Sequence, residues 1–261
     1  MNVADRNEQK SRVAEVSRLG HQAGTPLAAR LEPFDSFWQS PANVEKGYAS
    51  FFEYYRQNYL PLLPDDKDAR ILVISCGPGY LLNVLKQAGY RNVLGIDSDP
   101  EKIKPGLSRG LNCEAAEGFD FLAQSTEPYD VLIPEQELNH LTLQETVDFL
   151  SLCRGSLKPN GLLIVYGLNG ANPMVGAENL AQNIDHFYTF TEHSLKQLLE
   201  LARFNEIRVL PLKVYVFWKN PLNYVGLAVT GLFELFCRIM FKLYGKDVKI
   251  LTKKIMATCR A

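Results

Sequence analysis

The stretch Arg70 to Pro100, RILVISCGPGYLLNVLKQAGYRNVLGIDSDP, restricts the fold of this chain more than any other. A β-branched apolar run, Ile71 to Ile74, breaks into the small-residue turn Ser75-Cys76-Gly77-Pro78-Gly79. Tyr80, Leu81, Val84 and Leu85 then recur at helical spacing until Gly89, and a second apolar run from Asn92 to Ile96 ends on Asp97. Strand, glycine turn, helix, strand and carboxylate make one βαβ unit suited to a nucleoside. The glycines let the backbone approach a ligand, and the free N–H groups of a helix N-terminus point outward there. The carboxylate at the second strand tip can accept two ribose hydroxyls. A dinucleotide fingerprint carries a third glycine where helix packs on strand. Here Tyr80 and Leu81 follow Gly79, so the expected ligand is a nucleoside without a pyrophosphate.

Downstream the pattern keeps alternating. Residues 112 to 117 read as a short third strand, Phe119 to Gln124 as a brief helix and Tyr129 to Ile133 as a fourth strand. An amphipathic helix, the turn Lys158-Pro159-Asn160-Gly161 and a fifth strand from Leu162 to Tyr166 come next. A glycine- and asparagine-rich loop spans Gly167 to Asn183, Thr191 caps a helix from Glu192 to Ala202, and strands are expected over Ile207 to Val216 and Ile250 to Arg260. This predicts a mostly parallel sheet with an antiparallel edge. Ahead of the core, Tyr48, Phe51, Phe52, Tyr55 and Tyr59 share helical spacing up to Pro61. That helix either packs on the sheet or forms a lid whose tyrosines line the cleft. Expected boundaries are 1–64 for the helical lid segment, 65–219 for the core, 220–246 for an apolar helical insertion and 247–261 for the last strand.

Composition removes several classes. A net charge of −1 offers no basic field for nucleic acid. The five cysteines form no CxxC pair and the four histidines no HxxxH, so neither a disulfide framework nor a metal site is expected. The polar N-terminus carries no secretory signal pattern, which fits a cytoplasmic protein.

With these motifs in order, the chain resembles class I S-adenosylmethionine-dependent methyltransferases over roughly residues 40 to 261. LVISCGPGY matches the family's nucleotide motif, GIDSDP its ribose acid at Asp97, CEAAEGFDFL its adenine-side acid at Glu117, and YDVLIPEQELNHL its strand-four signature, with Asn139 at the usual Glu and His140 kept. LKPNGLLIV resembles the turn before strand five. Val73 stands where the family has an acid and Ser75 where it has its first glycine. The resemblance implies a Rossmann-like seven-stranded sheet of order 3-2-1-4-5-7-6 and S-adenosylmethionine as cofactor, without a metal. It implies cofactor contacts from Ser75, Cys76, Gly77, Gly79, Tyr80, Asp97, Ser98, Glu117, Gly118, Phe119 and Glu135. The segment from Asn172 to Leu199 resembles, more weakly, bacterial methyltransferases of polysaccharide and lipopolysaccharide clusters. That points to O-methylation of a saccharide or glycolipid hydroxyl; a small aromatic or isoprenoid hydroxyl, or a scaffold that has lost catalysis, are the alternatives.

Methyl transfer to oxygen needs a proton acceptor, and neutral His suits that role near pH 7. His186 or His140 is the expected base, with Asp185 or Glu137 orienting it. Tyr48, Tyr55, Tyr166, Asn169 and Asn172 are candidates for acceptor contacts. The insertion 220–246 carries Glu234, Arg238 and Lys242 as a single charged stripe on an apolar helix with lysines around it. It is expected to pack on its own domain or a partner subunit, in a possible homodimer, or to lie on the inner membrane surface.

Overall fold

The computed structural model describes residues 41–135, 138–181, 186–213 and 222–261. Two helices, α1 (Pro41–Ser50) and α2 (Phe52–Asn58), and a 3₁₀ turn at Leu60–Leu62 lead into the sheet. The core then runs β1 (Ile71–Ile74), α3 (Tyr80–Gln87), β2 (Val93–Asp97), α4 (Pro100–Ser108), β3 (Cys113–Ala115), α5 (Gly118–Gln124) and β4 (Tyr129–Pro134). A 3₁₀ turn at Leu138–His140 precedes α6 (Leu143–Ser156), β5 (Leu157–Leu168), α7 (Gly176–Ala181), α8 (Glu192–Leu201), β6 (Asn205–Leu212), α9 (Leu222–Leu243) and β7 (Lys254–Arg260).

The seven strands pair in the order β3-β2-β1-β4-β5-β7-β6, as the resemblance implied. The first five are parallel; β7 inserts antiparallel between β5 and β6, with Leu162 opposite Arg260 and Leu168 opposite Lys254. Strand alternation divides the core. Leu72 and Ile74 face a cluster with Phe119, Phe149 and Leu195 from α5, α6 and α8, while Ile71 and Val73 face one with Tyr48, Tyr55 and Leu81 from α1, α2 and α3. Both faces of β1 are thus covered, which is why its four residues are all apolar.

Helix starts follow local chemistry. Asp99 accepts the Glu101 N–H at 2.8 Å ahead of Pro100, and Thr142 and Thr191 each form a reciprocal capping box with the residue three positions on. Several boundaries differ from expectation. The aromatic helix is two helices that break at Phe51. β5 begins at Leu157, because Leu157 pairs with Tyr129 before the Lys158–Gly161 turn. A short helix, α7, forms inside the asparagine-rich loop. β6 spans Asn205–Leu212, and positions 214–216 of the expected strand lie outside the described residues; β7 starts only at Lys254, where Asn169 and Asn172 bind the carbonyls of 250 to 252 just ahead of it.

Strand order reverses between β1 and β4, so the crevice opens at the carboxyl ends of β1, β2, β4 and β5. The turn after β1 there holds Ser75 at φ +56°, Gly77 at +51° and Gly79 at +82°. Gly79 is suited to its φ of +82°, where a side chain is strained, and a Cβ would also push Leu111 Cδ1, 2.8 Å away, aside. Ser75 adopts the same left-handed region with a Cβ in place, which costs a non-glycine residue roughly 1–2 kcal/mol. Ser75→Gly, after the added unfolded-state entropy of glycine, is expected to raise stability by about 0.5–1 kcal/mol in urea denaturation. An unchanged midpoint would show that the turn carries no such strain.

Candidate active site

The cradle at the end of β1 is tied to the tip of β2. The Gly77 N–H donates to Asp97 Oδ2 at 2.7 Å, and the Asp99 N–H donates to Oδ1 at 3.1 Å. A carboxylate has about four acceptor positions, so bracing the turn does not exhaust it for a ribose diol. A Cβ on Gly77 would meet nothing within 4 Å, which marks that side of the turn as the open one. Gly79 gives α3 no side-chain cap, so the helix N-terminus points its first turn toward the crevice without one. Glu117 ends the β3 connection as the N-cap of α5, its Oε2 accepting the Asp120 N–H at 3.0 Å. Ser98 is half-buried beside Asp97. This donor and acceptor set fits a nucleoside: backbone N–H groups and an open glycine at one end, carboxylates at the β2 and β3 tips.

Other expected cofactor residues work from behind the cradle. Cys76 is buried, its thiol donating weakly to the Gly77 carbonyl at 3.7 Å. Tyr80 is sandwiched between Phe51, with ring centroids 5.2 Å apart, and Tyr48, at 4.9 Å. Gly118 is buried, and a Cβ there would touch Ile74 Cγ2 at 3.0 Å. Phe119 is a correction: it lies in the core against Phe149, centroids 5.3 Å apart, because α5 turns its apolar face to the sheet.

Tyr48 donates to the Pro78 carbonyl at 2.5 Å and lies under the Arg109 guanidinium at 3.8 Å. It therefore clamps α1 onto the glycine turn rather than facing an acceptor, and burial pushes its hydroxyl up to about 12. Tyr55 and Tyr166 converge on Glu135 at the end of β4. Tyr55 Oη donates to Glu135 Oε2 at 2.6 Å, and Tyr166 Oη donates to the Glu135 carbonyl at 2.8 Å. Burial raises the Glu135 carboxyl to about 7, against the opposing pull of the Tyr55 and Tyr59 hydroxyls and the Lys254 charge. Asn169 and Asn172 are corrections of another kind. The Asn169 amide donates to the carbonyls of Ile250 (3.0 Å) and Thr252 (2.8 Å), and its oxygen accepts from Ala171 N–H. Asn172 donates to the Leu251 carbonyl at 2.5 Å and accepts from Met174 and Val175. Their side chains brace the backbone.

The two histidines meet. Their rings pack edge to face with centroids 4.5 Å apart. His140 is fully buried in the turn after β4, whereas His186 is half-buried. His186 Nδ1 lies 2.5 Å from the Asn179 carbonyl. A carbonyl only accepts, so Nδ1 is the donor in this bond. The Phe187 N–H donates to the Asn139 carbonyl at 2.9 Å, which pins this loop to the β4 turn. Asp185 and Glu137, the expected orienting acids, fall outside the described residues. Sequence reasoning missed Asn179, and it noted Asn139 only as a departure. Both side chains are fully buried, and neither amide has a hydrogen-bond partner among the described residues. Buried amides without partners are rare in finished cores and mark a place where a ligand or water completes the bonding. Only the approach of two segments about 40 positions apart in the chain (Asn139 and Asn179) brings them together, so no local motif announces them.

The fold, the glycine turn and the acidic strand tips define the class of S-adenosylmethionine-dependent methyltransferases. The chain belongs to the methyltransferase domain family, whose profile matches residues 48–209. It is 28% identical over 150 residues to a ubiquinone biosynthesis O-methyltransferase of Xylella fastidiosa (strain M23), covering 54% of this chain and 59% of that protein. It is 31% identical over 122 residues to one of Bradyrhizobium diazoefficiens, covering 42% and 46%. The matches thus span about half the length of these relatives. A solved S-adenosylmethionine-dependent methyltransferase from Archaeoglobus fulgidus superposes with a TM-score of 0.60 at 15% identity, covering 82% of this chain and 94% of that one. The plantazolicin methyltransferase BpumL, in complex with S-adenosylhomocysteine, superposes at 0.55 with 18% identity and 98% coverage of both. These two share the fold.

The raised Glu135 carboxyl has a testable sign. Protonated in the fold and ionised when unfolded between its ordinary value of 4.5 and about 7, it contributes stability below that window that is lost as pH rises through it. Melting curves of Glu135→Gln should lack that decline between those values, while the wild-type protein shows it.

Proposed function

We propose that this chain is an S-adenosylmethionine-dependent O-methyltransferase acting on a hydroxyl of a small aromatic or isoprenoid-type acceptor. The observations that carry the reading are the braced glycine cradle with its acidic strand tips and, near it, His186, whose Nδ1 bonds the Asn179 carbonyl and whose ring packs on His140. When bound, the cofactor supplies a methyl group on an electrophilic sulfonium centre. Asp97, Gly77 and Glu117 hold and orient its nucleoside, and the Tyr48 clamp keeps the glycine turn in place. Asn139 and Asn179 offer buried amide groups to the acceptor's polar atoms. His186 Nε2 takes the hydroxyl proton as oxygen attacks. A phenol, with a pKa near 10, matches an imidazole base better than a sugar hydroxyl, whose pKa is higher.

The names of the curated relatives support a hydroxyl on a quinone precursor-like molecule. The saccharide acceptor expected from the weaker resemblance loses its main polar candidates, because Asn169 and Asn172 spend their amides on the backbone. A degenerate scaffold, suggested by Val73, Ser75 and Asn139, makes a separate claim that turnover decides.

Transfer of labelled methyl from S-adenosylmethionine into catechols, prenylated phenols and glycans tests the acceptor. Incorporation into the phenolic set is expected. Incorporation into glycans alone would overturn the acceptor class, and none at all would favour the scaffold. His186→Gln is expected to lower kcat by roughly 10²–10⁴-fold with near-normal S-adenosylhomocysteine binding. Asp97→Ala should instead weaken that binding about 10- to 100-fold in calorimetry, from the loss of charge-assisted bonds.

A further inference from the structure

Helix α9 has an apolar side that nothing in the described fold covers. Val225, Val229, Leu232, Phe236, Ile239 and Leu243 fall on one stripe at alternating spacings of four and three, and all are exposed, Leu232 at 69% and Leu243 at 75%. The opposite side turns inward: Cys237 is buried, and Thr230, Phe233 and Glu234 are half-buried. Arg238 pairs with Glu234 at 3.4 Å, which offsets the helix's one acid. The segment Tyr224–Leu243 has a mean hydropathy of 1.6 over 20 residues, with 6% of it buried. Such a patch marks an interaction surface.

By length and composition this helix could cross a bilayer, but the strand register rules that out. Leu212, the last residue of β6, pairs directly with Lys254, the first of β7. The chain thus leaves and re-enters the sheet at one point. Residues 213–221 lead into α9 and residues 244–253 lead out of it. A helix of 22 residues is roughly 33 Å long, about the ~30 Å hydrocarbon thickness. If it spanned, one connector would have to run back through hydrocarbon with its backbone groups exposed, which lipid does not tolerate. On a bilayer both ends would therefore stay on one side, with the helix lying flat.

Charge selects what it lies on. From Leu222 to the end, the chain holds seven lysines and arginines against two acids. Lys242, Lys246, Lys249 and Lys253 are exposed around the helix's C-terminal end. An apolar stripe with a basic margin suits anionic headgroups over an acyl boundary. The carbonyls of Ile250, Leu251 and Thr252, just beyond that margin, are the ones held by Asn169 and Asn172.

We propose that α9 lies in the plane of an anionic lipid leaflet, with its Val225–Leu243 stripe in the acyl boundary and its lysine margin among the headgroups. The test is flotation of the full chain with vesicles of equal phosphatidylcholine and phosphatidylglycerol, and with pure phosphatidylcholine. It is run without cofactor or acceptor, so it stands apart from the methyl-transfer reading. The wild-type protein should float with the anionic vesicles and less with the neutral ones. Leu232→Ser/Phe236→Ser should stay unbound on both while keeping the wild-type melting temperature and oligomeric state. Lys246→Glu/Lys249→Glu should lose the anionic preference. The proposal is overturned if the wild-type protein does not float, or if the apolar double variant floats as well as it does. A lipid-free wild-type dimer that the double variant splits in sedimentation velocity would also overturn it, by assigning the stripe to a second copy.

Discussion

One hydrogen bond organises the crevice: the Gly77 N–H to the Asp97 carboxylate, between residues twenty apart in sequence. It joins the turn after β1 to the tip of β2 and fixes both against the parallel pairing of those strands. A left-handed turn with no side chain on its open edge and a buried carboxylate beside it would each be unfavourable alone. Together, the turn satisfies the acid and the acid holds the turn. That pre-orders a nucleoside site before any ligand arrives, which lowers the cost of binding.

A second layer closes on this one from α1 and α2. Tyr48 bonds the Pro78 carbonyl and Tyr55 bonds Glu135, so the aromatic segment packs on the sheet and braces the glycine turn and the end of β4. Burial beneath that segment leaves Glu135 less able to ionise. On the far side of the crevice, the His140–His186 contact and the two buried asparagines form a polar patch inside an otherwise apolar fold. Natural cores retain such groups where function needs them, and their stability cost is met by the well-packed strands beneath.

Much of this was legible in the chain. Continuous apolar runs identified β1, β2, β4 and β5, because parallel strands are buried on both faces and leave no polar alternation. The glycine turn and Asp97 were legible because close backbone approach and a strand-tip acid are local requirements. The exact ends of β5, β6 and β7 were not, because they depend on pairing partners far away in sequence. Asn169 and Asn172 were misread for the same reason. An asparagine in a loop looks alike whether it binds a ligand or a distant carbonyl, and their carbonyls lie about 80 residues on.

The sequence by itself determined the βαβ cradle, the order of its elements and the class of nucleoside it suits, since those rest on backbone conformation and on neighbours within one turn or strand. Tertiary structure alone decided which polar side chains act and which merely brace. It buried His140, left His186 half-buried against it, set beside them two amides with no partner among the described residues, and brought the end of β6 and the start of β7, which flank α9, to one point of the sheet. Those outcomes depend on contacts between residues tens of positions apart, formed only once the sheet has closed and desolvated its faces.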